Sequence, residues 1–358
     1  MTTVTFAAPS LDRRARLLAI TLVAAILGIL VVSGATGPLG TSLADAGRVV
    51  LGHLVPGMPW MTDGTLSSAQ DQAVWNFRIP RALLAGVVGA CLALAGALLQ
   101  VVVRNPLAEP YILGVSSGAG LGAVSVIVLG STAVAGISLN VGAFLGAVLA
   151  TALVYFLASQ RGVVAPARLI LSGVALGTFF AAITNFLTIS TEAQNVYSVL
   201  FFMLGSVSAA TFAKVAGPLV ALLLVGALAF SRSRALNAML AGDETASSLG
   251  VDVHKLRRIV LVGAALLTGT SVAVSGGIGF VGLIVPHVAR MLVGSDHRRS
   301  LPVAMLGGAA FLMLADLAAR TILQPVEIPI GIVTAVVGAP FFLWLMRTSG
   351  ATRGGVDK

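Results

Sequence analysis

The chain has 358 residues, of which 57% are hydrophobic and only 10% charged, with a mean hydropathy of +1.01 and a net charge of +9. A soluble domain carries about 25% charged residues, so this composition excludes a soluble enzyme and describes a polytopic membrane chain. No aromatic-interleaved basic patch accompanies the positive charge, which argues against nucleic acid, and the single cysteine, Cys91, excludes an intrachain disulfide and a cysteine-built metal centre.

Residues 1–16 are polar and form an N-terminal tail, with Arg13, Arg14 and Arg16 just before the apolar run Leu17–Val32. The run extends to Gly37 and is read as a retained first helix. The rival is a signal peptide ending at Ser33-Gly34-Ala35. Residues 38–77 form the longest non-spanning segment, with an amphipathic piece at Leu43–Leu54 and a turn at Pro56-Gly57-Met58-Pro59. Arg78-Ile79-Pro80-Arg81 then opens a second run, Ala82–Val103, long enough to cross a hydrocarbon core of about 30 Å. Pro80 suits a first helical turn, and Pro106 disfavours helical geometry at Asn105.

A third span near 112–130 carries Gly114, Gly118 and Gly122, a small-residue ridge that lets helices approach closely in lipid. Gly142 and Gly146 give the fourth span, near 141–159, a matching pair; the fifth lies near 168–190. Residues 191–212 are mixed, with a short helix at Tyr197–Leu204 that does not cross. Spans follow near 213–230, 259–275, 281–294, 301–322 and 329–346; the eighth is expected to be short and broken by Gly282 and Pro286. The fold class is therefore all-α, one ten-helix domain over 17–347 with a tail at 348–358.

With the N-terminus inside, seventeen of the 22 Lys and Arg fall on inner segments and five on outer ones, so the positive-inside rule makes both termini cytoplasmic. A bacterial inner membrane is the expected location. Spans 2–5 and 7–10 then run in opposite senses, the layout of an inverted four-helix repeat. The expected shared break is Asn105-Pro106 in one block and Val285-Pro286-His287 in the other.

Enzymatic motifs are missing: there is no G-x-x-x-x-G-K-[ST] and no H-E-x-x-H. No metal site is expected from four scattered histidines, and His287 is read as a packed or capping residue. Asp316 is the only carboxylate deep in an expected span and is assigned to an ion pair with Arg320 one turn away. Proton- or sodium-coupled carriers place ionisable groups at mid-membrane. Arg78, Arg81 and Arg320 gather on the cation-poor side, where they suit either headgroup anchoring or forked pairs with a partner's carboxylates. Reversing Arg78 and Arg81 to glutamate is expected not to lower expression. Thr178 and Asn185, seven apart on the fifth span, are assigned to a polar channel lining or to helix–helix hydrogen bonds. In the inner segment Ser231–Arg258, Asp243 and Glu244 open a short helix and Gly250 ends it. Ala246 and Leu249 are expected to give that helix a small exposed apolar face for a cytoplasmic partner.

Four strings then occur in one order: R-x-P-R at Arg78, N-P-L-A-x-P-x-x-L-G at Asn105, G-D-E-x-A-x-x-L-G-V at Gly242, and G-F-V-G-L-I-V-P-H-x-A-R at Gly279 followed by D-H-R-R. The region Arg78–Met346 that holds them resembles the permeases of binding-protein-dependent ATP-cassette importers for ferric siderophores, haem and cobalamin. The resemblance implies a type II permease subunit that is not an enzyme and holds no cofactor. Its implied partners are a second permease copy or paralogue, membrane lipid, two ATPase subunits that use ATP and magnesium, and an extracytoplasmic substrate-binding protein. It further implies that Arg78, Arg81 and Arg320 receive the binding protein's carboxylates and that Asn105 and Leu107 form the inner constriction. Gly242, Asp243, Glu244, Ala246, Leu249 and Gly250 would form the helix seated in the ATPase. Gln324-Pro325-Val326 and Pro166-Ala167 depart from the family pattern. The substrate expected is a ferric siderophore, with haem or cobalamin next; the rival of another class is a secondary carrier working without an ATPase.

Overall fold

A computed structural model describes residues 11–130, 136–160 and 163–351, and these are almost entirely helical. The one strand pairing among them is a two-residue antiparallel ladder of Ser159–Gln160 with Val163–Val164. The N-terminal part contains α1 (Leu11–Ala35), α2 (Leu43–Leu54) and α3 (Ser68–Gln72), and a π-helical turn, Ala73–Arg78, joins α3 to α4 (Ile79–Val103). Next come α5 (Val115–Leu129), α6 (Leu139–Ala158), α7 (Pro166–Ile189), the short α8 (Ala193–Leu204) and α9 (Phe212–Ser231). The remainder is α10 (Ser233–Leu240), α11 (Asp243–Ser248), α12 (Val253–Ser275), α13 (Val281–Val293), α14 (His297–Thr321) and α15 (Ile330–Ala351).

Seven of the described helices are long and apolar enough to cross a membrane, counting α3 through α4 as one. With the shorter apolar α5 and α13, and with α15, each of the ten expected spans has its helix. The twelve residues of α8 reach about 18 Å at 1.5 Å per residue, too short to cross. α2 has the expected bounds. α1 opens at Leu11, ahead of the apolar run.

α4 is the axis of the bundle. It is apolar all round, and 22 of its 25 residues are buried, as expected of a helix enclosed on every side. α1, α9, α12, α13 and α14 pack around it. Glycine sets the closest approaches. A Cβ on Gly89 would collide with the Gly308 carbonyl of α14, and one on Gly96 with the Gly282 carbonyl of α13. The expected ridge on α5 is a seam with α6: Gly118 faces Gly146, and Gly122 faces Gly142.

Two expectations fail locally. The third span is not continuous: Pro110–Leu113 is a 3-10 turn, Gly114 is left-handed with φ 66°, and α5 starts only at Val115. The eighth helix is not broken at Gly282 or Pro286, since α13 runs through both. Its break lies upstream, at residues 276–280, where Gly276 (φ 66°) and Phe280 (φ 69°) are left-handed. A proline removes the hydrogen bond its N–H would give to the carbonyl four residues back. Here that carbonyl, on Gly282, accepts instead from Gln100 Nε2 of α4 at 3.2 Å. The helix survives because another helix replaces the lost donor.

The corrected breaks match. α4–α7 have 25, 15, 20 and 24 residues, and α12–α15 have 23, 13, 25 and 22. Each block therefore reads long, short, long, long, with an irregular segment before the short helix. These two segments touch. The Tyr111 hydroxyl donates to the Ile278 carbonyl at 2.7 Å and accepts from the Ile278 N–H at 2.6 Å, while Glu109 Oε1 accepts from the Phe280 N–H at 2.5 Å.

Candidate functional site

The expected site residues fall into three groups, at the two ends of α4 and on one face of α7. The first begins with the C-terminus of α1, whose last carbonyls have no partner within the helix. The Val32 carbonyl bonds to Thr36. Arg320 donates to Ser33 and Thr36, and Arg78 Nη1 donates to Gly34 and Ala35 at 3.0 and 3.1 Å. Arg78 Nη2 reaches Leu39 at 2.9 Å, and its side chain is buried. These two arginines tie α4 and α14 to α1.

Arg81 serves two carboxylates. Its Nε lies 2.8 Å from Asp316 Oδ1, and its Nη1 lies 2.8 and 2.9 Å from the two oxygens of Glu327. Asp316 is 1% exposed and Glu327 46%. Asp316 is indeed ion-paired, but Arg81 is the nearer partner; Arg320 Nε stands at 3.6 Å. Arg78, Arg81, Arg320 and Glu327 line one cleft of about 400 Å³ with Phe77 and Gln324. The three arginines do come together, but as a cluster that also holds the fold. Reversing Arg78 and Arg81 would leave α1 carbonyls unpaired and place a carboxylate against Asp316. Contrary to the sequence expectation of unaltered expression, that double reversal should impair folding.

At the other end, α4 stops at Arg104, a non-glycine residue with φ 51°, a region few side chains tolerate. Asn105 Oδ1 accepts from the Leu107 N–H at 2.9 Å, so Asn105 folds the chain back in a local turn. Asn105 is exposed and Leu107 half-buried. α11 lies alongside. Gly242 (φ 112°) precedes it and Gly250 (φ 81°) follows it, both in conformations that favour glycine. Asp243 pairs with Arg104, and both its oxygens accept from Arg257 Nη2 at 3.1 Å. Burial pushes the Asp243 carboxyl up, but the hydrogen bonds and charges of Arg257 and Arg104 outweigh that and hold it below its ordinary value. Asp243 thus joins α11 to both α4 and α12. Glu244 is exposed. Ala246 is buried against the bundle, which corrects the expected apolar pair: Leu249 alone, 68% exposed, presents an apolar surface.

Thr178 and Asn185 lie on one exposed face of α7, with Leu171, Val174, Phe186 and Ile189. Thr178 Oγ1 bonds to the Val174 carbonyl of its own helix at 2.9 Å, not to another helix. A stripe so apolar and open suits lipid, a channel or a second subunit.

Sequence reasoning missed Glu109, Gln100 and Glu327. Gln100 gave no signal, being one polar residue in an apolar run. Glu109 was detectable as an acid between two prolines, Pro106 and Pro110, next to an expected span. No group of three or more His, Cys, Asp or Glu among the described residues could hold a metal ion.

Residues 20–348 match the FecCD transport family. The chain is 41% identical over 309 residues to the cobalamin import system permease protein BtuC of Halobacterium salinarum, covering 82% of each. It is 40% identical to the hemin transport system permease protein HmuU of Yersinia pestis, over 81% of this chain and 88% of that one. It is 41% identical to the Fe(3+) dicitrate transport system permease protein FecD of Escherichia coli K12, over 85% and 96%. Among solved structures, one described as a metal-chelate type ABC transporter in an inward-facing conformation superposes with a TM-score of 0.78 at 32% identity, covering 92% of this chain and 98% of that one.

Proposed function

The chain belongs to the FecCD transport family, and from that premise we propose that it forms the membrane pathway for a ferric siderophore in an ATP-driven importer. It is a multi-pass permease subunit, not an enzyme, of the importer class that handles siderophores, haem and cobalamin. The likeness to a ferric dicitrate permease over 96% of that protein, together with the metal-chelate transporter fold, supports an iron chelate. The cobalamin and haem relatives are about as similar, which keeps those two substrates as the second reading.

In this reading the Arg78 end of α4 faces outward and the Arg104 end faces the cytoplasm, as the charge distribution favours. A substrate-loaded binding protein docks by an acidic surface at the Arg81 cleft. A second permease subunit meets the open face of α7, where Thr178 and Asn185 line the pathway. Two ATPases carrying ATP and magnesium receive α11, chiefly through Leu249 and Glu244. Movement of α11 passes through Asp243 to Arg104 and so to the Asn105–Leu107 turn beside it. The observation that carries this chain of contacts is the Asp243–Arg104 pair, which links the loop helix to the residue next to the proposed constriction.

Ser208 also lines the cleft, and two glutamates introduced there, Gln324→Glu and Ser208→Glu, test the docking position without removing any arginine. Binding-protein association is expected to slow at low salt and to recover as salt rises. Unchanged association would refute the docking position.

A further inference from the structure

Arg81 holds two carboxylates of opposite character. Asp316 is enclosed and within reach of Arg320 as well, so removing its partner would leave a buried charge uncompensated. Glu327 sits on the exposed loop between α14 and α15 and is nearly half open to solvent. Both its oxygens crowd one nitrogen of Arg81, Nη1. A carboxylate spanning Nη1 and Nη2 would make the stronger forked pair. Around the cleft three guanidiniums face two carboxylates, and Arg78 meets only carbonyls. One positive charge is therefore left over, beside a space of about 400 Å³.

We propose that Glu327 occupies Arg81 in place of an incoming carboxylate, and that an acidic protein partner docks by exchanging its own carboxylate for Glu327. The proposal rests on the docking reading above. Asp316 is the fixed ligand of Arg81 and Glu327 the replaceable one. The exchange trades one partly exposed ion pair for another, so the arginine is never left unpaired. It also weakens docking by whatever it takes to displace Glu327, and it keeps the cleft from holding stray small anions. Only a partner that inserts a carboxylate while making further contacts around the rim can displace it.

The test is the affinity of the full-length permease in detergent or nanodiscs for its purified cognate substrate-binding protein, at low and high salt. Glu327→Gln leaves the Arg81–Asp316 pair in place and removes the competitor. Binding is expected to tighten about two- to fivefold, the range for an ion pair with one exposed partner. The gain should shrink as salt rises, because this partly exposed pair is itself screened. It should exceed that of Gln324→Lys, which adds the same charge to the cleft without freeing Arg81; an equal gain would mean only a change in overall charge and would overturn the exchange. Unchanged or weaker binding would overturn it too, the latter by making Glu327 itself a contact. Gln324→Glu separates the two levels. If it weakens binding while Glu327→Gln fails to tighten it, the exchange alone is wrong. If it has no effect, the docking position falls and the exchange with it.

Discussion

Gln100→Leu removes the amide that replaces the donor lost at Pro286. Gln100 Nε2 lies 3.2 Å from the carbonyls of Ala108 and Gly282 and 3.4 Å from that of Leu283. One amide group can donate two good hydrogen bonds, so leucine forfeits about two. Interhelical hydrogen bonds in lipid are worth about 0.6 kcal/mol on average and up to about 1.7, while an orphaned buried carbonyl costs roughly 1–3 kcal/mol. Against this, Gln100 Oε1 is itself buried without a partner, and leucine removes that burden. The balance is a loss of about 1–2 kcal/mol. The chain supplies its own reporter, because its only cysteine, Cys91, is fully buried in α4. Reaction with a thiol-specific dye during heating should therefore begin a few degrees lower in Gln100→Leu. Pro286→Ala restores an N–H aimed at Gly282 and should recover about 0.5–1 kcal/mol in the Gln100→Leu background but little in the parent. Equal effects of Pro286→Ala in both backgrounds, or an unmoved midpoint for Gln100→Leu, would refute the replacement.

Gly122→Leu should destabilise the α5–α6 seam by more than the roughly 1–3 kcal/mol of ordinary overpacking, since its Cβ would meet backbone; Gly28→Leu, with nothing within 4 Å, should leave the same labelling midpoint unmoved. Leu249→Asp and Glu244→Arg should leave the chain folded yet uncouple uptake from ATP hydrolysis, read together in one vesicle preparation; normal uptake in both variants would remove α11 from the coupling path. Asp243 titrates below its ordinary value near 3.8, so whatever its pairing contributes is present above that value and lost only as pH falls through the lower folded value. Uptake per ATP should then be flat from about pH 5 to 8, and Asp243→Asn should lower it throughout that range.

Features written in local sequence were legible. Ten apolar runs, the α2 bounds, the Gly118–Gly122 ridge and the Gly250 terminus each follow from length, period or a single residue's allowed φ. The ends of the short helices were not. Proline at 286 suggested a break by the local rule, but the rule fails when a residue 186 positions earlier supplies the missing hydrogen bond. Charge counting found Arg78, Arg81 and Arg320, and helical spacing found the Asp316–Arg320 pair, but not the partners of Arg78 and Arg81. Arg81 and Asp316 are 235 residues apart, and Arg78 spends its donors on backbone carbonyls, which have no sequence signature. Ala246 was misplaced because a six-residue helix offers too few turns to tell its buried side from its open one.

In the proposed reading this chain transports only when a partner hydrolyses ATP. The most direct measurement is uptake of a ferric siderophore into vesicles containing the permease, its ATPase and its binding protein, each omitted in turn. Uptake should need all three and ATP, with no response to a proton or sodium gradient. Uptake by the permease alone, driven by such a gradient, would contradict it.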